Sequence, residues 1–310
     1  MSSIISMIDS LSNQSLPEPN IQRFDGLAHE LENCQMRAEM LRSSLGLFLE
    51  EELAQKIEKY NTKVFSIDVF DTLLLRNSKP EALRYHEISQ ITLKYLSNKL
   101  PHDRRVSALT TEDVLESRIF GIKETYRTRS LVDGCGEGII DEIVRGQLLF
   151  LNLDPELSSD IIALEVDYEC ENLEVNPLLL SLSKHLKEDG TRIILISDMY
   201  LPAKLIALII KKMLNSSPFD QIFSSADTIV SKRSGKLFFS IAKKLEVEPE
   251  HFFHVGDSWL ADVVRAREAG WRAQYFPVST QERRERTMKL NEFSASMRQN
   301  GYDVGDWAKL

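Results

Sequence analysis

The sequence predicts an α/β fold: a three-layer parallel sheet with an all-helical insertion after its first strand and a helical extension at the N-terminus. Three observations carry that reading. Beyond residue 175, short apolar runs alternate with amphipathic stretches of helical spacing, the pattern of a parallel sheet covered by helices on both faces. Between Pro80 and Glu174 the apolar spacing is helical almost throughout. The chain has 310 residues, 43% apolar and 27% charged, with only 13 glycines and 10 prolines. That is enough for a large core plus an insertion, with much helix and few long loops.

Taken in order, residues 1–60 form an N-terminal extension. A polar segment ends near Pro17 and Pro19, and helix follows. An apolar or small residue then recurs with heptad-like spacing at Leu27, Leu31, Cys34, Ala38, Leu41, Leu45 and Phe48. Such a stripe makes a coiled coil or helical hairpin, with a homodimer or partner protein docked through 27–58, or it packs on the chain's own body. Residues 61–76 and 175–278 form the core. Its first strand, Lys63 to Asp68, is an apolar run that ends on a carboxylate.

Residues 77–174 form the helical insertion, with helices near 80–100, 111–129, 139–151 and 156–172 and a glycine-rich break from Asp133 to Gly138. In the second part of the core a helix at 177–188 stops at Gly190, a C-terminal cap residue, and a strand follows at 191–196. A helix from Pro202, a strand at 221–223, a helix at 235–245 and a strand at 251–255 come next. A helix at 259–269 then ends on Gly270 before a last strand at 272–276. Residues 279–310 are charged and weakly periodic, a helical tail.

Charge and composition exclude several classes of partner. A net charge of −9 argues against nucleic acid and anionic membranes. No apolar run approaches the ~20 residues that span a bilayer. No Lys or Arg precedes Arg23, so the start lacks the pattern of a secretory signal. Cys34, Cys135 and Cys170 are widely spaced and odd in number, neither a disulfide framework nor a zinc cluster. The expectation is a cytoplasmic protein with a small-molecule substrate.

In an open parallel sheet, ligands bind beyond the carboxyl ends of the strands. Those positions hold Asp68-Val-Phe-Asp71-Thr72, then Ser197-Asp198, and Gly256-Asp257-Ser258 with Asp262; Ser231-Lys232-Arg233 precedes a helix. One edge therefore collects carboxylates, a hydroxyl and a lysine. Hard oxygen donors suit Mg²⁺, an aspartate beside it can serve as a nucleophile, and a lysine can neutralise a transferring phosphoryl group.

In that order and at those strand ends, Ile-Asp68…Thr72-Leu73, Ser197-Asp198, Lys232 and Gly256-Asp257-Ser258…Asp262 resemble the haloacid dehalogenase superfamily of hydrolases over about residues 62–278. The resemblance implies a Rossmann-like core with a cap domain at the insertion, and these roles: Asp68 as nucleophile and metal ligand, with the Phe70 carbonyl, Asp257 and Asp262 completing a Mg²⁺ site. Ser197 and Lys232 would act catalytically, and Thr72, Ser197, Asp198, Lys232 and Ser258 would meet the substrate. Lys232 is preferred to Lys236 because a helix with an apolar start follows it at the family's interval.

The family's phosphatases carry an acid two residues after the nucleophile; here that position is Phe70, and an aspartate follows at Asp71. Asp71 is a substitute acid or a turn-stabilising residue. Three outcomes follow: a phosphatase of a small phosphorylated metabolite with another acid, an enzyme whose substrate has a good leaving group, or a scaffold or binding protein on a core that has lost catalysis; a metal-independent dehalogenase-like hydrolase is a further alternative. The strings Asp68 to Arg76 and Ser197 to Pro202 also resemble a bacterial subgroup often joined to glycosyltransferases, which implies a sugar phosphate or nucleotide-linked substrate. His254 reads as a packed core histidine, and Arg76, Lys79 and Arg84 as anion binders or solvated surface charges.

Overall fold

The computed structural model describes residues 26–214 and 216–302; the polar segment before Gly26 and the last residues of the tail lie outside them. The described residues open with three helices, α1 (Gly26–Asn33), α2 (Arg37–Leu41) and α3 (Ser44–Lys59), which lead into β1 (Val64–Asp68) and β2 (Leu74–Arg76). The insertion follows as α4 (Glu81–Lys99), α5 (Arg104–Ser107), α6 (Thr111–Thr128), α7 (Ile140–Phe150) and α8 (Ser158–Asn172), closed by β3 (Leu173–Val175). The chain continues through α9 (Pro177–Glu188), β4 (Arg192–Ser197), α10 (Ala203–Met213), β5 (Gln221–Ser224), α11 (Ser225–Thr228), α12 (Lys236–Leu245), β6 (Phe252–Gly256), α13 (Arg265–Glu268), β7 (Arg272–Tyr275) and α14 (Thr280–Gln299).

β5-β4-β1-β6-β7 form a five-stranded sheet, parallel throughout. β1 lies at its centre and every one of its residues is buried, as a strand covered on both faces must be. On one face Phe65, Ile67 and Leu195 join a core that reaches into the insertion and the N-terminal helices. On the other, Val64, Ile194 and Ile196 pack with Phe238 and Trp271. The insertion leaves and rejoins the core through the antiparallel pair β2–β3, in which Leu74 faces Val175 and Arg76 faces Leu173. That pair and α5 have no counterpart in the sequence reading, since three- and four-residue elements carry too little periodicity to register.

The apolar stripe of residues 27–48 does not run as one coiled-coil helix: the helix breaks after Asn33 and again after Leu41. Leu27, Leu31 and Leu41 are buried in the main core, while Phe48 is 61% exposed. In α3 the buried positions are Leu49, Leu53 and Ile57, and this face packs on α9. Leu27, Leu31 and Leu41 of the stripe are thus spent on the chain's own body. The helix expected at 259–269 starts as one wide turn, Trp259–Val264, before α13. α14 opens with a Ser279–Glu282 capping box and returns to pack on α1 and α4. No helix among the described residues is long and apolar enough to cross a membrane.

Candidate active site

β1 delivers Asp68 to the middle of the sheet's carboxyl edge, and its neighbours β4 and β6 deliver Ser197 and Gly256 beside it. A cleft of about 290 Å³ opens there, lined among others by Asp68, Phe70, Ser197, Lys232, Asp257 and Asp262. Lys232 Nζ lies 2.5 Å from Asp68 Oδ1 and 2.6 Å from Asp262 Oδ1. Asp198 fastens the lysine's loop: its carboxylate accepts the backbone N–H of Lys232 at 2.7 Å and of Arg233 at 3.0 Å. Lys236 is elsewhere, opening α12 and donating to the Asp133 carbonyl in the glycine-rich loop of the insertion.

Asp262 is fixed from three sides, by Lys232, by the Ser258 N–H at 2.9 Å and by His254 Nε2 at 3.1 Å. His254 Nδ1 is in turn 2.7 Å from Ser66 Oγ on β1. The histidine is thus a core residue that also steadies an acid of the cleft. Burial, only partly offset by Asp262, lowers its pKa and favours the neutral ring. Gly256 is required sterically, because a Cβ there would sit 2.3 Å from the Asp262 carboxyl carbon.

Asp68, Asp257 and Asp262 each bring a carboxylate oxygen within 4.8 Å of the others. Burial pushes the Asp68 pKa up to about 7, against the pull of Lys232 and with the push of Asp262. Burial and the charges of Asp68, Asp71 and Asp262 drive Asp257 well above the carboxylate range. Asp262 goes the other way: Lys232 and His254 outweigh its burial. A single ammonium cannot neutralise these acids, and the surplus negative charge on hard oxygens fits a divalent cation of the Mg²⁺ type.

Asp71 lines the same cleft, but its carboxylate is bound by arginines from outside the sheet. It adopts a positive φ of 62°, which Asp tolerates, and its backbone N–H closes the turn on the Leu74 carbonyl at 2.8 Å. Its carboxylate takes Arg286 Nη2 at 2.6 Å and Nη1 at 3.1 Å, with Arg37 Nη2 at 3.4 Å. Arg37, wholly buried, also donates to the Asp71 carbonyl at 2.5 Å and to Glu282 at 2.7 Å. Although burial raises the Asp71 pKa, Arg286, Arg76 and Arg37 together pull it below the usual carboxylate range. A carboxylate held as an anion by two guanidinium groups cannot be a proton donor, so the substitute-acid reading of Asp71 is corrected to a loop anchor.

Two of the expected substrate contacts are also otherwise engaged. Ser258 Oγ caps the following turn by accepting the Ala261 N–H at 3.2 Å. Asp198 is taken by the two N–H groups already named. Thr72 Oγ1 is buried with no partner at full hydrogen-bonding distance, yet lies close enough to Asp68 to ease its charge. Ser197 is buried at the end of β4 and lines the cleft.

Of the hinge cations, Lys79 pairs with Glu87 at 2.7 Å and Arg84 is buried against Glu169, so neither is a plain solvated charge. Arg76 lines the cleft, as does Glu81 at the start of α4. The sequence reading missed Arg37, Glu282 and Arg286, which meet Asp71 or one another across separations of up to 245 residues. No local pattern marks such partners.

Compared with known families, residues 62–270 match the one described as haloacid dehalogenase-like hydrolase. Among solved structures the chain is similar to a 2-haloacid dehalogenase from Pseudomonas syringae pv. Tomato DC3000, at 16% identity and a TM-score of 0.47 over 69% of this chain and 86% of that one. It is also similar to a HAD phosphatase from Thermococcus onnurineus, at 20% identity and a TM-score of 0.44 over 69% and 86%. A third similarity is to YfnB from Bacillus subtilis bound to magnesium, at 14% identity and a TM-score of 0.43 over 76% and 99%. No curated protein matches the chain.

Proposed function

The chain belongs to the haloacid dehalogenase-like hydrolases, and from that premise we propose that it is a divalent-metal-dependent phosphatase acting on a small phosphorylated metabolite, a sugar phosphate or a nucleotide-linked compound. The supporting observation is the placement of Asp68 at the central strand's end, in contact with Lys232 and grouped with Asp257 and Asp262. Asp68 attacks phosphorus and carries the phosphoryl group until water releases it. Lys232 neutralises the nucleophile and then the phosphoryl oxygens, and the Ser197 hydroxyl donates to one of them. Mg²⁺, held by Asp68, Asp257 and the Phe70 carbonyl with Asp262 behind or beside them, would neutralise charge on the phosphoryl oxygens.

The insertion acts as a cap in this reading. It rests on the core through the Ile140 N–H bonded to the Tyr200 carbonyl at 2.9 Å, and through Glu137, which accepts from Ser225 at 3.2 Å. The test is inorganic phosphate release from sugar phosphates, nucleotides and para-nitrophenyl phosphate, with Mg²⁺ and with EDTA, in wild type and Asp68→Asn. Release that needs metal and falls by roughly 10⁴-fold or more in the variant is expected, since removing a nucleophile removes the pathway it carries. Halide release without metal would instead support the dehalogenase alternative. No turnover with metal binding retained would support a binding protein or scaffold on a weakened core.

A further inference from the structure

Arg76 feels the charges of Asp71, Glu169 and Glu81 but forms no ion pair with them, and it lines the cleft of the proposed nucleophile. It ends β2, the first strand after the Asp68 loop, and lines the cleft together with Asp68, Phe70 and Met199. Its Nε is buried and bonded to nothing, and its Nη2 has only the Met199 thioether, at 3.6 Å, a weak acceptor. No carboxylate among the described residues is paired with it: the nearby Glu81 accepts instead from the Tyr85 hydroxyl at 2.9 Å, and Asp71 is taken by Arg37 and Arg286. The guanidinium lies over the Phe70 ring, 4.7 Å from its centroid. A guanidinium with no ion pair at the edge of a reacting centre can receive an anion.

The acids that line the same cleft outside the Asp68 cluster are engaged in hydrogen bonds or ion pairs. Asp71 is held by two arginines, Asp198 by two backbone N–H groups, and Glu81 by a hydroxyl. Phe70 brings no proton and instead provides the plate on which Arg76 stacks. The position two residues after Asp68 thus supplies no proton to a leaving group, and what stands over it is the fixed positive charge of Arg76.

We propose that Arg76, seated on Phe70, receives the leaving group, and that the substrate is a phosphoanhydride or acyl phosphate whose leaving group departs as a stable oxyanion. This rests on the phosphatase reading and narrows its substrate to that class. In the first step the Asp68 Oδ–P bond forms and the P–O bond to the leaving group breaks, its electron pair staying on the leaving oxygen beside Arg76. In the second, water attacks phosphorus and the Asp68–P bond breaks. Both protons of that water end on inorganic phosphate, so the balance needs no acid. An alkoxide could not leave this way, because without a donor such a step commonly loses ~10²–10⁴ in rate.

The experiment compares kcat/KM for acetyl phosphate, pyrophosphate and ADP with that for glycerol 3-phosphate, glucose 6-phosphate and para-nitrophenyl phosphate, in Mg²⁺. Wild type should prefer the anhydrides over the alkyl esters by at least ~10²-fold, the lower bound for a missing general acid. Arg76→Lys and Arg76→Ala should lose ~10–10³-fold on the anhydrides, chiefly in kcat, as expected for a donor aimed at developing charge. Their rates on para-nitrophenyl phosphate, whose phenolate leaves with its charge spread over the ring, should fall by less than ~10-fold, well short of that loss. The wild-type preference needs no variant, so a misfolded substitution does not blunt the test. Alkyl esters hydrolysed as fast as anhydrides, or Arg76 variants that lose equally on every substrate, would overturn this inference while leaving the phosphatase reading intact. No phosphate from any compound would sink that reading itself.

Discussion

Two aspartates three residues apart in one turn have opposite surroundings. Asp68 shares one ammonium with Asp262 and faces Asp257 as well, so negative charge is in excess on its side of the turn. Asp71 meets two guanidinium groups, one from α2 that it shares with Glu282 and one from α14, so its charge is balanced on its side. The difference separates a reactive group from a structural one. Excess negative charge in a buried cluster leaves room for a bound cation and keeps carboxylates poised to act. A saturated carboxylate is inert, but it fixes the backbone that aims its neighbour. The N- and C-terminal helices thus meet at Asp71, and the clasp holds the loop of Asp68 and Phe70 from outside the sheet.

The sharpest way to test that contrast is to cut the clasp. Asp71→Ala leaves half-buried Arg286 without its carboxylate, leaves wholly buried Arg37 with Glu282 alone, and places alanine at a positive φ. It should cost about 3–5 kcal/mol in urea unfolding, the usual penalty for removing one partner of a buried pair. A loss below about 1 kcal/mol would mean that water already solvates the arginines and that the clasp is a surface pair. Acid provides a gentler cut. The folded-state pKa of Asp71 is depressed, so its contribution is present above its unfolded value of about 4 and fades as pH falls through the folded value. Stability measured from about pH 6 down to about pH 3 should fall more steeply in wild type than in Asp71→Asn, which has no carboxylate to titrate there. Parallel curves would show that the clasp does not depend on that charge.

The two aspartates were unequally legible in the sequence. Asp68 was readable because its signal is local: an apolar strand that ends on a carboxylate, repeated in type at Ser197 and Gly256-Asp257. Parallel strands buried on both faces are short unbroken apolar runs, and their ends mark the ligand-binding edge. Lys232 was reachable by its interval to the apolar start of α12. Asp71 looked like a spare acid because its partners come from helices that no spacing connects to it. Arg76 and Arg84 read equally well as surface cations, because burial of an arginine is decided by what folds over it. The stripe in residues 27–48 showed that an apolar face exists without showing what it faces, and here the chain's own core supplied the answer.

The smallest expected effect tests the other half of the contrast. If the cluster around Asp68 holds more negative charge than Lys232 can balance, removing one carboxylate should relieve it. Asp257 is the one to remove, since the charges of Asp68, Asp71 and Asp262 act with burial to raise its pKa, while the Lys232 ammonium is bonded to Asp68 and Asp262. In EDTA, Asp257→Asn should be as stable as wild type or more stable, by up to about 1 kcal/mol, because a like-charge repulsion disappears. With Mg²⁺ added, wild type should gain thermal stability in proportion to the logarithm of metal concentration over Kd, and the variant should gain less. The two arms of this melting experiment have opposite signs, which a packing defect could not imitate: a defect would lower both. If Asp257→Asn lost stability in EDTA, the acids would already be balanced without metal, and the difference between the two sides of the turn would be one of geometry rather than charge.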